Sequence, residues 1–243
     1  MKILAIESSA TACSVALCED ERLVAQSFQN NGLTHSRTLM PMLEHMLDSC
    51  GAALEEMDLI AVAAGPGSFT GLRIGVAAAK GLAWPGEKPC AGVSTLEAMA
   101  WTAAHMGMEI CPVMDARRHQ VYNARFRSDG EKLERLAPDR AISLGELGEE
   151  LKRDGKPQIL IGDGAVLCYT TLKELGLDVR LAPPHLRFQS AWGVARAALE
   201  QARAGALTDA RGLVPVYHRL SQAERERLAR LNCGGPSADQ IVS

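Results

Sequence analysis

Apolar and polar positions along this chain fall into blocks that predict short strands and helices in a repeating order. Lys2–Glu7 is an apolar run that predicts a buried strand. Small polar residues follow from Ser8 to Thr11. Cys13–Cys18 then predicts a second strand and Leu23–Phe28 a third, with the acidic turn Glu19-Asp20-Glu21 between them. A helix is expected from about Ser36–Thr38 to Cys50, with Gly51 just past its end. Pro41 must lie in its first turns or kink it. Leu59–Ala64 is apolar throughout, as befits a strand covered on both faces. The loop Gly65-Pro66-Gly67-Ser68 leads into a helix that Pro85-Gly86 stops near Trp84. A strand at Cys90–Val93 and a helix from Thr95 to about His105 complete this half.

The second half repeats the order. Ile110–Ala116, Val121–Arg127 and a weaker Leu133–Ala137 predict three strands. A helix over Leu144–Arg153 opens at Ser143, and Gln158–Ile161 makes a short strand. Gly162-Asp163-Gly164 turns the chain into a helix over Ala165–Leu175, and Gln189–Ala204 predicts another. The pattern βββαβα therefore occurs twice, which predicts two α/β lobes around one cleft. The expected divisions are residues 1–107, 108–220 and a tail over 221–243, where the sequence turns charged and then rich in small residues.

The most concentrated motif is Gly65-Pro66-Gly67-Ser68-Phe69-Thr70-Gly71-Leu72-Arg73-Ile74-Gly75. Backbone N–H groups at such a strand-to-helix turn can hold a phosphate. It is not a Walker A loop, because Leu72 follows Gly71 where Lys is required. A tight turn capped by Ser68 or Thr70 explains it as well. In the helix behind it, Gly71, Gly75, Ala79 and Ala83 recur every four residues, with Ala77, Ala78 and Gly81 beside them. Each helical glycine costs about 1 kcal/mol against alanine, so close packing must offset it. The packing could be against the chain's own sheet or against a helix of another chain. In the preceding helix, Leu39, Met40, Met42, Leu43, Met46, Leu47 and Cys50 form a wide apolar arc, with Met42 at its edge as the interface candidate.

Composition narrows the classes. Of 243 residues, 26 are basic and 29 acidic, for a net charge of -3, so no broad electrostatic pull on nucleic acid is expected. Seven cysteines without a Cys-x-x-Cys suit a reducing compartment. The four-residue apolar run at the N-terminus is short for a signal peptide, and no membrane-spanning stretch is present, so a cytoplasmic protein is expected. The six histidines show no spacing that puts two metal ligands on one helix face. The turn Asp115-Ala116-Arg117-Arg118-His119 could meet a phosphate or an acidic surface, or simply be a solvated hairpin tip. Arg219, Arg225, Arg227 and Arg230 interleave with Glu224 and Glu226 as on a solvated helix face.

IESSATACSVAL, AAGPGSFTGLRIGVAAAKGLA, VMDARRHQVYNA and VPVYHRLSQAE resemble the TsaB (YeaZ) family over Met1 to about Glu224. The resemblance implies a role in forming N6-threonylcarbamoyladenosine in tRNA. It implies the duplicated fold of actin, Hsp70 and sugar kinases (ASKHA). It implies a non-catalytic scaffold that pairs with its paralogue TsaD, which carries the metal and the chemistry. The ATPase TsaE joins them, tRNA is met only through the complex, and the isolated chain pairs with itself. The implied partner-binding residues are Met42, His45, Met46 and Ser49 on the first helix, and Gly71, Gly75, Ala78, Ala79 and Leu82 on the second.

Kinases of this fold bring backbone to phosphate at an Asp-x-Gly turn in each lobe. This chain has Glu7-Ser8-Ser9 and Asp115-Ala116-Arg117 at the matching positions, with Arg118 next. Neither has the glycine, which points to a vestigial phosphate site. No cofactor is then expected on this chain alone, and ATP or ADP only within the complex. The alternatives are an ATP-dependent phosphotransferase and a glycoprotease-like peptidase.

Overall fold

The computed structural model describes residues 1–218. Five strands and three helices build each half. The first half runs β1 (Lys2–Glu7), β2 (Cys13–Glu19), β3 (Arg22–Gln29), α1 (His35–Cys50), β4 (Leu59–Gly65), α2 (Phe69–Ala83), β5 (Cys90–Ser94) and α3 (Thr95–Thr102). The second runs β6 (Glu109–Asp115), β7 (Gln120–Ser128), β8 (Leu133–Ser143), α4 (Leu144–Asp154), β9 (Gln158–Ile161), α5 (Ala165–Glu174), β10 (Val179–Leu181) and α6 (Ala191–Arg203). One sheet has the order β3-β2-β1-β4-β5 and the other β10-β9-β6-β7-β8, which is the same order read from its far edge. β1 lies antiparallel to β2 and parallel to β4, as β6 does to β7 and β9. This is the duplicated actin-like α/β fold.

Side-chain alternation at period two decides where the helices go. Along β1, Leu4 and Ile6 face α1 and α2, meeting Leu39, Leu43 and Val76. Ile3 and Ala5 face the other way, meeting α6 through Val194 and Ala198. Both sets are fully buried. In the second sheet, Cys111 and Val113 face Leu147, Leu151 and Leu172 of α4 and α5. Ile110 and Met114 face Leu96 and Met99 of α3. Thus α3 and α6 lie between the sheets and lock the lobes together. They cross closely, because Gly193 leaves no room for a side chain: a Cβ there would lie 2.1 Å from the carbonyl oxygen of Ala98.

Residues from the second half of the chain complete the first lobe. α6 covers the first lobe's sheet. Beyond it, Thr208 exchanges backbone hydrogen bonds with Cys90 of β5, and Val216 N donates to Ala64 O of β4 at 2.7 Å. Gly65, at φ 137°, is required there, since a Cβ would meet Val216 O at 2.2 Å. The tail over 221–243, with its arginine-rich stretch, lies outside the described residues. β10 escaped the hydrophobic pattern because three residues with Arg180 in the middle carry no period. β8 runs on past Pro138, as an edge strand can, and two register shifts accompany it on β7. α3 stops at Thr102, three residues earlier than its pattern predicts. Pro41 falls in the second turn of α1.

Candidate functional site

Two places bring together the residues singled out by sequence: the cleft between the lobes, and the outer face of α1 and α2.

The cleft has a volume of about 500 Å³ and is lined by Ser9, Gly67, Thr70, Asp115, Arg117 and Asp163 among others. In the first lobe, β1 ends on Glu7, which is fully buried. Its Oε1 accepts a hydrogen bond from Ser9 N at 2.6 Å. Its Oε2 is buried and has no hydrogen-bond partner. Burial pushes the Glu7 carboxyl up to about 7, and the charge of Asp163 across the cleft adds to the rise. Ser8 Oγ donates to Gly71 O at 3.0 Å, and Ser9 O accepts from Ser68 N at 2.7 Å. The turn after β1 is thereby sewn to the start of α2. His35 Nε2 lies 2.7 Å from Ala10 O and ties α1 to the same turn.

The second lobe mirrors this. β6 ends on Asp115, whose Oδ1 accepts from Arg117 N at 2.7 Å. The exposed Arg117 guanidinium lies 3.6 Å from Asp115 Oδ2. Arg117, Arg118 and His119 all adopt positive φ, at 64°, 56° and 57°, which holds the turn tight after Asp115. Asp163 follows β9 in the Gly162-Asp163-Gly164 turn. Burial raises its pKa, while Gln189 Nε2 donates to its Oδ1 at 2.7 Å.

Of the expected phosphate-site residues, Ser9, Asp115 and Arg117 line the cleft, Glu7 and Ser8 are buried behind it, and the exposed Arg118 lies outside its lining. Asp163 and Gln189 were missed. The only sequence signal was a buried strand ending in a Gly-flanked acid, which reads equally as a plain turn. The site does not fit a phosphate held as in a kinase of this fold. The amide two residues past each carboxylate, at Ser9 and at Arg117, is already bonded to that carboxylate. Two acids, Asp115 and Asp163, face the space, and Arg117 is paired with the first of them. The obstruction is therefore more than missing glycines: the donors themselves are taken. Among the described residues no group of three or more His, Cys, Asp or Glu is placed to hold a metal ion. The six described cysteines are free.

On the outer face, the structure corrects part of the expected docking set. Gly71, Gly75 and Ala79 are buried against the chain's own first sheet and turn. A Cβ at Gly71 would lie 2.1 Å from Ser8 O, and one at Gly75 2.3 Å from Ser8 Oγ. The glycines serve intrachain packing of α2. Met42 and Met46 also belong to the core under α1, at 6% and 5% exposure. What remains outward of that set is His45 and Ser49 on α1 and Ala78 and Leu82 on α2, and the exposed Ala77 and Gly81, outside the expected set, lie beside them. Ala78 and Leu82 are half-buried and Gly81 has open space above it. Small side chains at these positions leave little bulk above the α2 backbone. No helix among the described residues is long and apolar enough to cross a membrane.

Comparison with known proteins bears on both places. Residues 29–180 match the family model described as TsaD, tRNA N6-adenosine threonylcarbamoyltransferase. The chain is 34% identical over 227 residues to the tRNA threonylcarbamoyladenosine biosynthesis protein TsaB of Bacillus subtilis, covering 92% of this chain and 96% of that one. It is 34% identical over 183 residues to TsaB of Escherichia coli, covering 74% and 79%. A solved structure of YeaZ from Pseudomonas aeruginosa superposes with a TM-score of 0.73 at 26% identity, over 89% of this chain and 99% of that one. A second structure from the same organism, of an uncharacterized protein with similarity to peptidase YeaZ, gives a TM-score of 0.76 at 26% identity over 90% and 99%.

Proposed function

We propose that this chain, which belongs to the TsaB family and acts in threonylcarbamoyladenosine modification of tRNA, does so as a non-catalytic subunit. Its role is to hold and activate a TsaD-family paralogue. One observation carries the non-catalytic reading. In both lobes the turn amide that would face a phosphate is consumed by the turn's own carboxylate, at 2.6 Å in one and 2.7 Å in the other. Activity therefore has to come from a partner. The match of residues 29–180 to the TsaD model supports a paralogue as that partner, because related lobes offer related helix faces.

The docking face is the outward part of α1 and α2, centred on Ala77, Ala78 and Gly81 with His45 and Ser49 alongside. The same face serves self-pairing when the partner is missing. A TsaE-type ATPase joins the assembly, which meets tRNA in the cytoplasm through the partner. Two measurements test this. Calorimetric titration of the isolated chain with Mg-ATP is expected to show no binding below about 1 mM. Micromolar binding would overturn the non-catalytic reading in favour of a phosphotransferase. Ala77→Arg, at an exposed position, is expected to abolish co-elution with the TsaD-family protein of the same organism without lowering the melting temperature. Unchanged co-elution would remove the docking face.

A further inference from the structure

The last described residues build a surface whose role the docking reading does not cover. Asp209–Tyr217 runs alongside α2 in the opposite sense and is fastened at both ends. At the C-terminal end of α2, Lys80 Nζ donates to Arg211 O at 3.4 Å, and the Arg211 guanidinium lies 5.6 Å from the Trp84 ring centre. At the N-terminal end, the Tyr217 ring stacks on Phe69 with centres 4.6 Å apart, and Tyr217 Oη accepts from Arg73 Nε at 2.9 Å. Leu213, buried, pins the middle. Trp84, Val214, Val216 and Tyr217 are nevertheless exposed, at 58%, 58%, 49% and 41%. Two aromatic–arginine pairs thus stand at the ends of the bare Ala77–Gly81 floor.

Charge identifies what fits there. α2 contains no acidic residue. Arg73, Lys80 and Arg211 form no ion pair among the described residues. Glu87 and Asp209 line the same hollow as Trp84 and Arg211, and Asp209 Oδ1 is held by the Arg211 and Gly212 amides. In a chain of net charge -3 the strip therefore sets three unpaired cations against two carboxylates, a small local excess of positive charge beside aromatic anchors. Exposed Trp, Tyr and Arg on a rigid support are the residue types that dominate protein interfaces.

We propose that Asp209–Tyr217, together with Phe69, Arg73 and Trp84, forms a second wall of the docking surface, and that its occupant is an acidic helical segment of the TsaD-family partner. This rests on the docking reading above. Arg73 and Trp84 are eleven residues apart on one helix, or about 16 Å at 1.5 Å per residue. The occupant accordingly carries two carboxylates about three helical turns apart, one for Arg73 and one for Arg211. Three cations over an apolar floor suit a protein better than RNA, whose binding scales with the number of phosphates neutralised.

The test uses the full chain and the purified TsaD-family protein of the same organism, with affinities measured at 50 and 300 mM salt. Arg73→Glu and Arg211→Glu are each expected to weaken binding at least tenfold at low salt and to flatten its salt dependence. Lys152→Glu, on the exposed side of α4 and away from this surface, is expected to stay within threefold. Melting curves report whether each variant is folded. If Arg73→Ala and Arg211→Ala also prove folded and every charge variant binds like the parent while Ala77→Arg does not bind, the second wall is overturned and the docking face stands. If Ala77→Arg binds as well, both fall. Loss of tRNA binding by the isolated charge variants, with partner affinity unchanged, overturns the wall in favour of RNA.

Discussion

Glu7→Gln is the most informative single substitution, because the burial of Glu7 fixes the sign of its effect and sets its scale. Glu7 is fully buried, one of its oxygens lacks a partner, and its pKa is raised from 4.5 to about 7. The unfolded chain gives the proton up near 4.5, whereas the folded chain keeps it until about 7. Between those values the folded state binds more protons, so stability falls as pH rises through this window. A rise of about 2.5 units corresponds to about 3 kcal/mol at 1.36 kcal/mol per unit, all of it lost above pH 7. Gln copies the protonated form and keeps an oxygen for Ser9 N. The variant is therefore expected to match the parent near pH 4.5 and to exceed its stability by up to about 3 kcal/mol at pH 8. That is a gain of roughly 6–12 °C for a domain of this size. Asp163, raised in the same direction, keeps titrating in the variant, so a shallower slope survives. Urea unfolding at half-unit steps from pH 4.5 to 8.5 measures it. Parallel pH profiles for the two proteins would refute the reasoning.

Further predictions concern packing and docking. Gly71→Ala places a methyl against Ser8 O and is expected to cost about 1–3 kcal/mol by thermal unfolding. Gly81→Ala meets open space and is expected to stabilise α2 by up to about 1 kcal/mol, while weakening association with the partner if a helix backbone seats there. Arg125→Leu strips the buried Glu109 of a guanidinium 3.0 Å away, and is expected to cost about 3–5 kcal/mol in urea unfolding. Glu7→Gln and Asp115→Asn are expected to leave tRNA modification by the reconstituted assembly within threefold, measured by nucleoside mass spectrometry.

Sequence made the duplicated order legible because the central strands of both sheets are short, apolar runs punctuated by turns and buried on both faces, whereas the polar edge strands β8 and β10 were only partly legible. The two carboxylate turns were likewise legible as positions. Their chemistry was not, because whether Ser9 N or Arg117 N is free depends on side-chain bonds that no motif encodes. Gly71, Gly75 and Ala79 illustrate a deeper ambiguity. A small-residue helix face announces close approach but not the identity of the approaching backbone, and here it is the turn at Ser8. Tyr217 and Arg211 could not be placed on α2 from sequence, since more than 130 positions separate them from Arg73 and Lys80.

The return of the last residues onto the first lobe has a consequence in time. During synthesis, β1 through α2 leave the ribosome well before α6 and the Thr208–Val216 contacts that finish that lobe. A chain cut short before α6 therefore lacks the pieces that cover β1 and fasten β4 and β5, and its first sheet is left with one face open.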